Sequence, residues 1–280
     1  MTATTAPVPL ADPTSAVWEP AVGIAVRGTV LLLPGRGEHP GVYARFGRRL
    51  AFDGYRVVVP VVPAAGSVPP DLAGPVAEAR ASAPPGAPVV LAGSDTGALL
   101  ALAAAPAAAP DGLLLVGLPT AGAAPGAPDT TDAWTDELGA RTSCPMHRSL
   151  LATDPEFRPG ALAQDVPVSL ARAAEEAASD IASGGAASAG VPVLLVHGSA
   201  DPVSPPATAR GFADRLSAGI VLVADGRHDA LNDAAHRSVA AAVVQWLERL
   251  RGGPHLPAQI VTTGADGHTP GPPAPEGDPA

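Results

Sequence analysis

The sequence predicts an α/β fold in which helices cover both faces of a mostly parallel sheet. Short apolar runs rich in Val and Leu alternate along the chain with longer segments of helical periodicity. A chain of 280 residues is also long enough to bury one large core and to carry an additional segment. A third observation is a sharp strand–turn–helix at residues 89–105, a turn by which α/β enzymes expose a reactive side chain.

Six strands are predicted, each four or five residues long and bounded by Gly, Pro or Asp. They are Thr29–Leu33, Arg56–Pro60, Val89–Ala92, Gly112–Val116, Val193–Val196 and Ile220–Val223. Helices are predicted at Val42–Phe52, Gly97–Ala105, Pro206–Leu216 and Asp233–Arg251. The last helix has apolar side chains at helical spacing, and Gly252-Gly253 ends it.

The alternation of strands and helices stops between residues 119 and 190. This stretch has no convincing strand, but helical patterns occur at Asp132–Leu138 and Val168–Ser183. Since a structureless loop of about 70 residues is improbable in a compact domain, a helical cap is predicted here. The predicted organisation is a disordered N-terminus (1–15), a core (16–118 and 191–251), a cap (119–190) and a disordered Pro/Gly-rich tail (252–280).

Composition excludes several classes of function. The net charge of −10, without a basic cluster, argues against nucleic acid or an anionic membrane as a partner. The single cysteine, Cys144, excludes an internal disulfide and a cysteine-rich metal site. Residues 1–10 lack the features of a secretory signal, and the most apolar window, Val89–Ala109, is interrupted by Asp95. We therefore expect a cytoplasmic protein with a small-molecule substrate, no membrane span, no cofactor and no metal; the question of a homo-oligomer stays open.

Three loops supply a candidate catalytic triad in the order nucleophile, acid, histidine. The turn Gly93-Ser94-Asp95-Thr96-Gly97 places Asp95 at its apex, and its glycines prevent a clash where strand and helix pass each other. Asp201 follows a late strand, and His228 lies in the Gly-x-His loop after the next strand. Asp201 would orient His228 and stabilise its protonated form, while His228 would act on a substrate proton or a water.

A fourth loop carries a family resemblance. Pro34-Gly35-Arg36-Gly37-Glu38-His39-Pro40-Gly41-Val42-Tyr43 resembles the His-Gly-x-Gly-Glu-His-x-Gly-x-Tyr loop of monoacylglycerol lipases and bacterial lysophospholipases. With the three loops above, the chain resembles an α/β-hydrolase over roughly residues 25–118 and 190–250. The resemblance implies a sheet with a helical cap after strand 6, and an oxyanion hole made by the backbone N–H groups of Arg36 and Thr96.

The sequence departs from this family at the apex, where most members carry Ser and this chain has Asp95. A carboxylate that attacks an ester would form a high-energy mixed anhydride, whereas attack on a saturated carbon gives an ordinary ester that His228 and water can hydrolyse. This chemistry resembles that of haloalkane dehalogenases and epoxide hydrolases. Dehalogenases place a tryptophan directly after the nucleophile, and this chain has Thr96 at that position. The two tyrosines of the chain, Tyr43 and Tyr55, lie outside the predicted cap.

Within the predicted cap, three polar side chains are candidates for substrate binding. Trp134 is the one indole placed to donate to a halide, and His147 or Arg148 would stabilise an alkoxide or carboxylate. The sequence thus predicts a cofactor-free hydrolase that acts through an Asp95–His228–Asp201 triad. Two alternatives stay open: an esterase-like, lysophospholipase-like or lyase-like enzyme with Asp95 as general base, and a catalytically silent binding protein.

Overall fold

The computed structural model describes residues 15–62, 71–121, 132–184 and 190–253. Within these ranges seven strands form one sheet in the order β1-β3-β2-β4-β5-β6-β7. Their bounds are β1 Ala16–Trp18, β2 Gly28–Leu33, β3 Tyr55–Val59, β4 Val89–Ser94, β5 Gly112–Val116, β6 Val193–Gly198 and β7 Gly219–Val223. The strands run parallel except β1, which pairs antiparallel with β3. The predicted α/β fold is confirmed, and β1 was not predicted because three residues are too few to show a period.

Eight α-helices lie in the described ranges. They are α1 Ala44–Phe52, α2 Ala73–Ser82, α3 Thr96–Ala108, α4 Ala133–Arg141, α5 Pro145–Thr153, α6 Val168–Ala182, α7 Pro206–Leu216 and α8 His236–Arg251. Short 3-10 turns occur at Pro40–Tyr43 and Ala161–Ala163. The sequence did not predict α2 or α5. The segment 233–235 was predicted as helix but is loop, and the Asp233 carboxylate there accepts from the hydroxyls of Thr142 and Ser143.

The sheet is buried on both faces, as its continuous apolar strands predict. In β2, Leu31 and Leu33 face one core cluster, and Val30 and Leu32 face the other, because successive side chains of a strand point to opposite faces. The first cluster is completed by α2, α3, α6 and α7. The second is completed by α1 and α8.

The segment between β5 and β6 carries the helices α4, α5 and α6, so the helical insertion follows the fifth strand of this chain. Helix α6 packs along α3 and α7 through apolar side chains such as Leu170, Ala174 and Ile181. This contact buries the outer side of α3. The loop that follows α5 lies instead against the loop after β2, where the Arg158 N–H donates to the Gly37 carbonyl at 3.0 Å.

The predicted disordered ends fall almost entirely outside the described residues, as do parts of the predicted cap (122–131 and 185–189). The boundaries of that cap stay a prediction. None of the helices described here has both the length and the apolar character needed to cross a membrane.

Candidate active site

Asp95 stands at the apex of the turn between β4 and α3, with φ 51° and ψ −125°. This is a backbone conformation that L residues rarely adopt, and such strain is typical of functional turns. A Cβ on Gly93 would lie 2.0 Å from the Gly97 carbonyl oxygen, and one on Gly97 would lie 2.2 Å from that of Leu33. Both glycines are therefore required by the close passage of strand and helix.

The three side chains of the predicted triad meet in a buried chain of hydrogen bonds. His228 Nε2 lies 3.1 Å from Asp95 Oδ1, and His228 Nδ1 lies 2.8 Å from Asp201 Oδ2. The other oxygen of Asp201 accepts the backbone N–H groups of Val203 and Ser204, which fixes the carboxylate in its turn. The contacts run from the acid to the histidine and from the histidine to the apex residue, which is the order found in a catalytic triad.

The sequence did not predict the part played by the Arg36 side chain. Its backbone N–H and its Nε–H both donate to Asp95 Oδ2 at 2.8 Å, and Nη2 donates to Asp95 Oδ1 at 2.8 Å. Nη1 donates to the carbonyls of Leu162 and Gln164, at 3.1 Å and 2.6 Å. The guanidinium therefore forms a bidentate ion pair with the apex carboxylate and joins it to the loop that follows α5. Both side chains are at most 5% exposed.

The two carboxylates and two cations of this site hold each other in their charged forms. Burial alone would raise the pKa of Asp95, but the hydrogen bond from His228 and the charge of Arg36 outweigh it and hold that pKa well below its usual range. Burial opposes charge on His228 too, yet Asp201 and Asp95 together raise its pKa to about 10. The pKa of Asp201 is lowered by His228 against the effect of burial. At neutral pH the site thus contains two anions and two cations.

A second imidazole also contacts Asp201. His197 Nε2 donates to the Ser204 carbonyl at 2.8 Å and lies 3.3 Å from Asp201 Oδ2. Burial lowers the pKa of His197, so this ring is neutral at neutral pH. His197 thus adds a neutral contact to Asp201 and leaves the charge balance of the site unchanged.

Glu38 and Tyr43 hold the backbone of the loop after β2 by hydrogen bonds. Glu38 Oε2 accepts from the Gly35 N–H at 3.0 Å and from the Tyr43 hydroxyl. Arg141, which is fully buried, donates from Nη2 to the Arg36 carbonyl at 2.7 Å. These contacts fix the backbone of Arg36 from below.

A cavity of about 370 Å³ opens beside Arg36. Its lining includes Arg36, Thr96, Leu100, Arg158 and Gln164. Thr96 is the first residue of α3, so the cavity reaches the turn that carries Asp95. The volume lies at the small end of the range for ligand pockets.

The three substrate-binding candidates from the predicted cap are not among the residues that line this cavity. The Trp134 ring packs on that of Phe157, with ring centroids 5.6 Å apart. His147 is buried, and its pKa is lowered to about 3 mainly because of this burial. Arg148 Nε donates to the Thr142 carbonyl at 2.7 Å. No group of three or more His, Cys, Asp or Glu side chains within the described ranges is arranged to hold a metal ion.

Comparison with known proteins agrees with this fold. Residues 30–242 match the model of the alpha/beta hydrolase family. No curated protein sequence shows significant similarity to the chain.

Solved structures of lipases and of a dehalogenase share the fold. A soluble variant of monoglyceride lipase from Saccharomyces cerevisiae, in complex with a substrate analogue, is 19% identical with a TM-score of 0.64, over 84% of this chain and 91% of that one. A monoacylglycerol lipase from Paleococcus ferrophilus is 21% identical with a TM-score of 0.62, over 84% and 98%. A loop variant of a haloalkane dehalogenase from Bradyrhizobium elkanii is 18% identical with a TM-score of 0.57, over 85% and 94%.

The family match covers most of the chain and includes the turn at Asp95, the Asp201 loop and the His228 loop. It confirms the resemblance that these loops predict and supports a hydrolase. The chain belongs to the alpha/beta hydrolase family, with aspartate at the apex of its strand–helix turn.

Proposed function

We propose that this hydrolase uses Asp95 as a nucleophile that displaces a leaving group from a saturated carbon, without a cofactor. The observation that carries the proposal is the Asp95 carboxylate at the apex, 3.1 Å from a His228 that Asp201 supports at 2.8 Å. A carboxylate there has a favourable covalent product only at such a carbon, because acyl attack would give an anhydride.

In the first step, Asp95 Oδ1 forms a bond to the substrate carbon, and the leaving group departs with the electron pair of the bond that breaks. Oδ2 becomes the carbonyl oxygen of the new ester. It is the oxygen on which the Arg36 backbone N–H and Nε–H converge, each at 2.8 Å. Alkylation removes the charge of Asp95, one of the charges that raise the pKa of His228. His228 therefore releases its proton to the leaving group or to solvent.

In the second step, neutral His228 takes a proton from water, whose oxygen bonds to Cγ of the Asp95 ester. Negative charge develops on Oδ2, to which the Arg36 backbone N–H donates. We infer that the N–H of Thr96 contributes to the same oxyanion hole. The Cγ–Oδ1 bond then breaks, the alcohol leaves with the proton from His228, and the remaining water proton restores protonated His228. One solvent oxygen stays in Asp95.

The charge state of the site favours this route over general-base catalysis. A base works best when its pKa lies near the working pH. The pKa of Asp95 lies far below neutral, because His228 and Arg36 stabilise its charge. Asp95 would therefore accept a proton poorly, whereas attack on carbon requires only its charged form.

A second candidate function is a catalytically silent small-molecule binder. The observation in its favour is the Arg36–Asp95 ion pair, which takes up both oxygens of the carboxylate. This candidate predicts binding in the cavity beside Arg36 and no covalent product at Asp95.

The test is the intact mass of a His228→Gln variant after exposure to alkyl halides, epoxides and acyl esters. Without its base, the variant should accumulate the ester, and peptide mapping should place the added group on Asp95. The control is Asp225→Asn, a change at an exposed aspartate of the same loop, which should accumulate no adduct because it turns over normally.

A single turnover of the unmodified protein in ¹⁸O-water provides an independent measurement. The covalent route places one ¹⁸O atom in Asp95, and general-base catalysis places none. Turnover without label would assign Asp95 as a base. The absence of turnover, adduct and label with every substrate class would favour the silent binder.

A further inference from the structure

Arg36 donates hydrogen bonds to both oxygens of the proposed nucleophile. Nη2 of Arg36 and Nε2 of His228 both contact Asp95 Oδ1, the oxygen proposed to attack. The Asp95 side chain is 1% exposed. A substrate carbon can reach Oδ1 only after the Nη2 contact is released.

Release of this contact is costly unless the guanidinium finds another acceptor. Removing the partner of a buried charge is unfavourable by an amount that corresponds to a factor of about 10²–10³ in rate. Nη1 is already used by the carbonyls of Leu162 and Gln164, which hold that end of the guanidinium in place. The edge that carries Nε and Nη2 is therefore the part that must exchange its acceptor.

A carboxylate on the substrate is the acceptor that fits this edge. The edge has two parallel donors that now bind a carboxylate, Asp95, with both bonds at 2.8 Å. Arg36 also lines the cavity of about 370 Å³, from which a substrate would enter. The lining also contains Arg158 and the three acids Glu38, Glu156 and Asp165, so recognition of a carboxylate depends on the paired donors of Arg36 and not on the overall charge of the cavity.

We propose that the substrates are small carboxylic acids with a leaving group on a nearby saturated carbon, and that Arg36 recognises them by exchanging Asp95 for the substrate carboxylate. This inference rests on the proposed function of Asp95. The exchange releases Oδ1 for attack only when an anionic substrate is present. The backbone N–H of Arg36 keeps its bond to Oδ2 throughout.

The test compares two reagents that differ only in charge, bromoacetate and bromoacetamide, in the His228→Gln background. The rate of adduct formation at Asp95 is measured for each by peptide mapping, so that reaction at Cys144 is not counted. The ratio of the two rates is then measured again with Arg36→Met added. Dividing one ratio by the other cancels the intrinsic reactivity of the reagents.

We expect Arg36 to raise the preference for bromoacetate by at least about 30-fold. An Arg158→Met control removes a charge from the same cavity and should keep the preference within about threefold. Asp95 adducts with an unchanged ratio in Arg36→Met, or a ratio that depends on Arg158 alone, would overturn the proposal. No Asp95 adduct in any variant would instead overturn the nucleophile itself, and the proposal with it.

A protection experiment covers the case in which Arg36→Met does not fold. In the His228→Gln variant alone, acetate should compete with bromoacetate and slow the adduct at Asp95, and acetamide at equal concentration should not. Equal protection by both compounds would contradict carboxylate recognition.

Discussion

The ion pair between Arg36 and Asp95 should be one of the largest pairwise energies in the molecule. The perturbation is a double-mutant cycle that combines Arg36→Met with Asp95→Ala. The pair has two charge-assisted bonds of 2.8 Å, each typically about 1.5–3 kcal/mol, and both side chains are at most 5% exposed. Each single variant breaks the buried ion pair, leaving Asp95 with His228 or Arg36 with its carbonyl acceptors, and should lower the free energy of unfolding by about 3–5 kcal/mol. The double variant leaves neither charge, so we expect a coupling energy of about 3 kcal/mol.

The assay is urea unfolding of the four proteins at one pH near 6. A matched cycle of Arg49→Met with Asp53→Ala gives the reference, because this pair has a similar bond of 3.0 Å but Arg49 is 50% exposed. That cycle should give about 0.3–0.5 kcal/mol. The bonds from Arg36 to Leu162 and Gln164 are lost whether or not Asp95 is present, so their contribution cancels in the cycle. A coupling below about 1 kcal/mol, or one equal to that of the reference pair, would refute the argument from burial.

Three further predictions concern the triad and its turn. The free energy of unfolding should fall between about pH 6.5 and pH 10, because the folded state keeps the His228 proton that the unfolded state has lost; a urea titration of His228→Gln should lack this fall. Asp201→Asn should slow hydrolysis of the Asp95 ester by about 10²–10⁴, measured as adduct lifetime, and an unchanged lifetime would remove Asp201 from the triad. Gly93→Ala should lower the free energy of unfolding by more than about 4 kcal/mol or abolish folding. Gly211 lies in an exposed turn of α7 with open space around it, so Gly211→Ala should raise the free energy of unfolding by up to about 1 kcal/mol.

Much of the fold follows from local sequence patterns. All six predicted strands exist, with ends that differ by no more than two residues, because continuous Val/Leu runs bounded by Gly or Pro leave few other arrangements. Helix α7 is found at its predicted bounds, Pro206–Leu216. Helix α2 is nearly without an amphipathic pattern, since four of its ten residues are Ala and Val76 is its one large aliphatic residue, and so it gave no periodic signal.

The meeting of Asp95, His228 and Asp201 was predictable because each belongs to a loop with its own local signature. In the Gly-x-Asp-x-Gly turn, a Cβ on either glycine would lie 2.0–2.2 Å from a backbone oxygen, so the turn requires the two glycines that the sequence contains. The position of the cap side chains has no such signature. The amphipathic Trp134 side chain packs on the apolar ring of Phe157. The residue type alone does not show whether a tryptophan packs in this way or donates to a halide.

Charge balance gives the signal by which the sequence could have revealed Arg36. An apex serine is neutral and needs no counter-ion, whereas an apex aspartate adds a buried negative charge to that of Asp201. One protonated His228 neutralises only one of the two, and a buried carboxylate without a cation would lose its charge and its nucleophilic form. A second buried cation therefore favours the ionised form of Asp95. In the loop that reaches the apex, Arg36 is the residue that can supply it, and its guanidinium lies there. The Asp at the apex and the Arg in the Gly-x-Gly loop are thus two parts of one electrostatic arrangement, and a change at either should be interpreted together with the other.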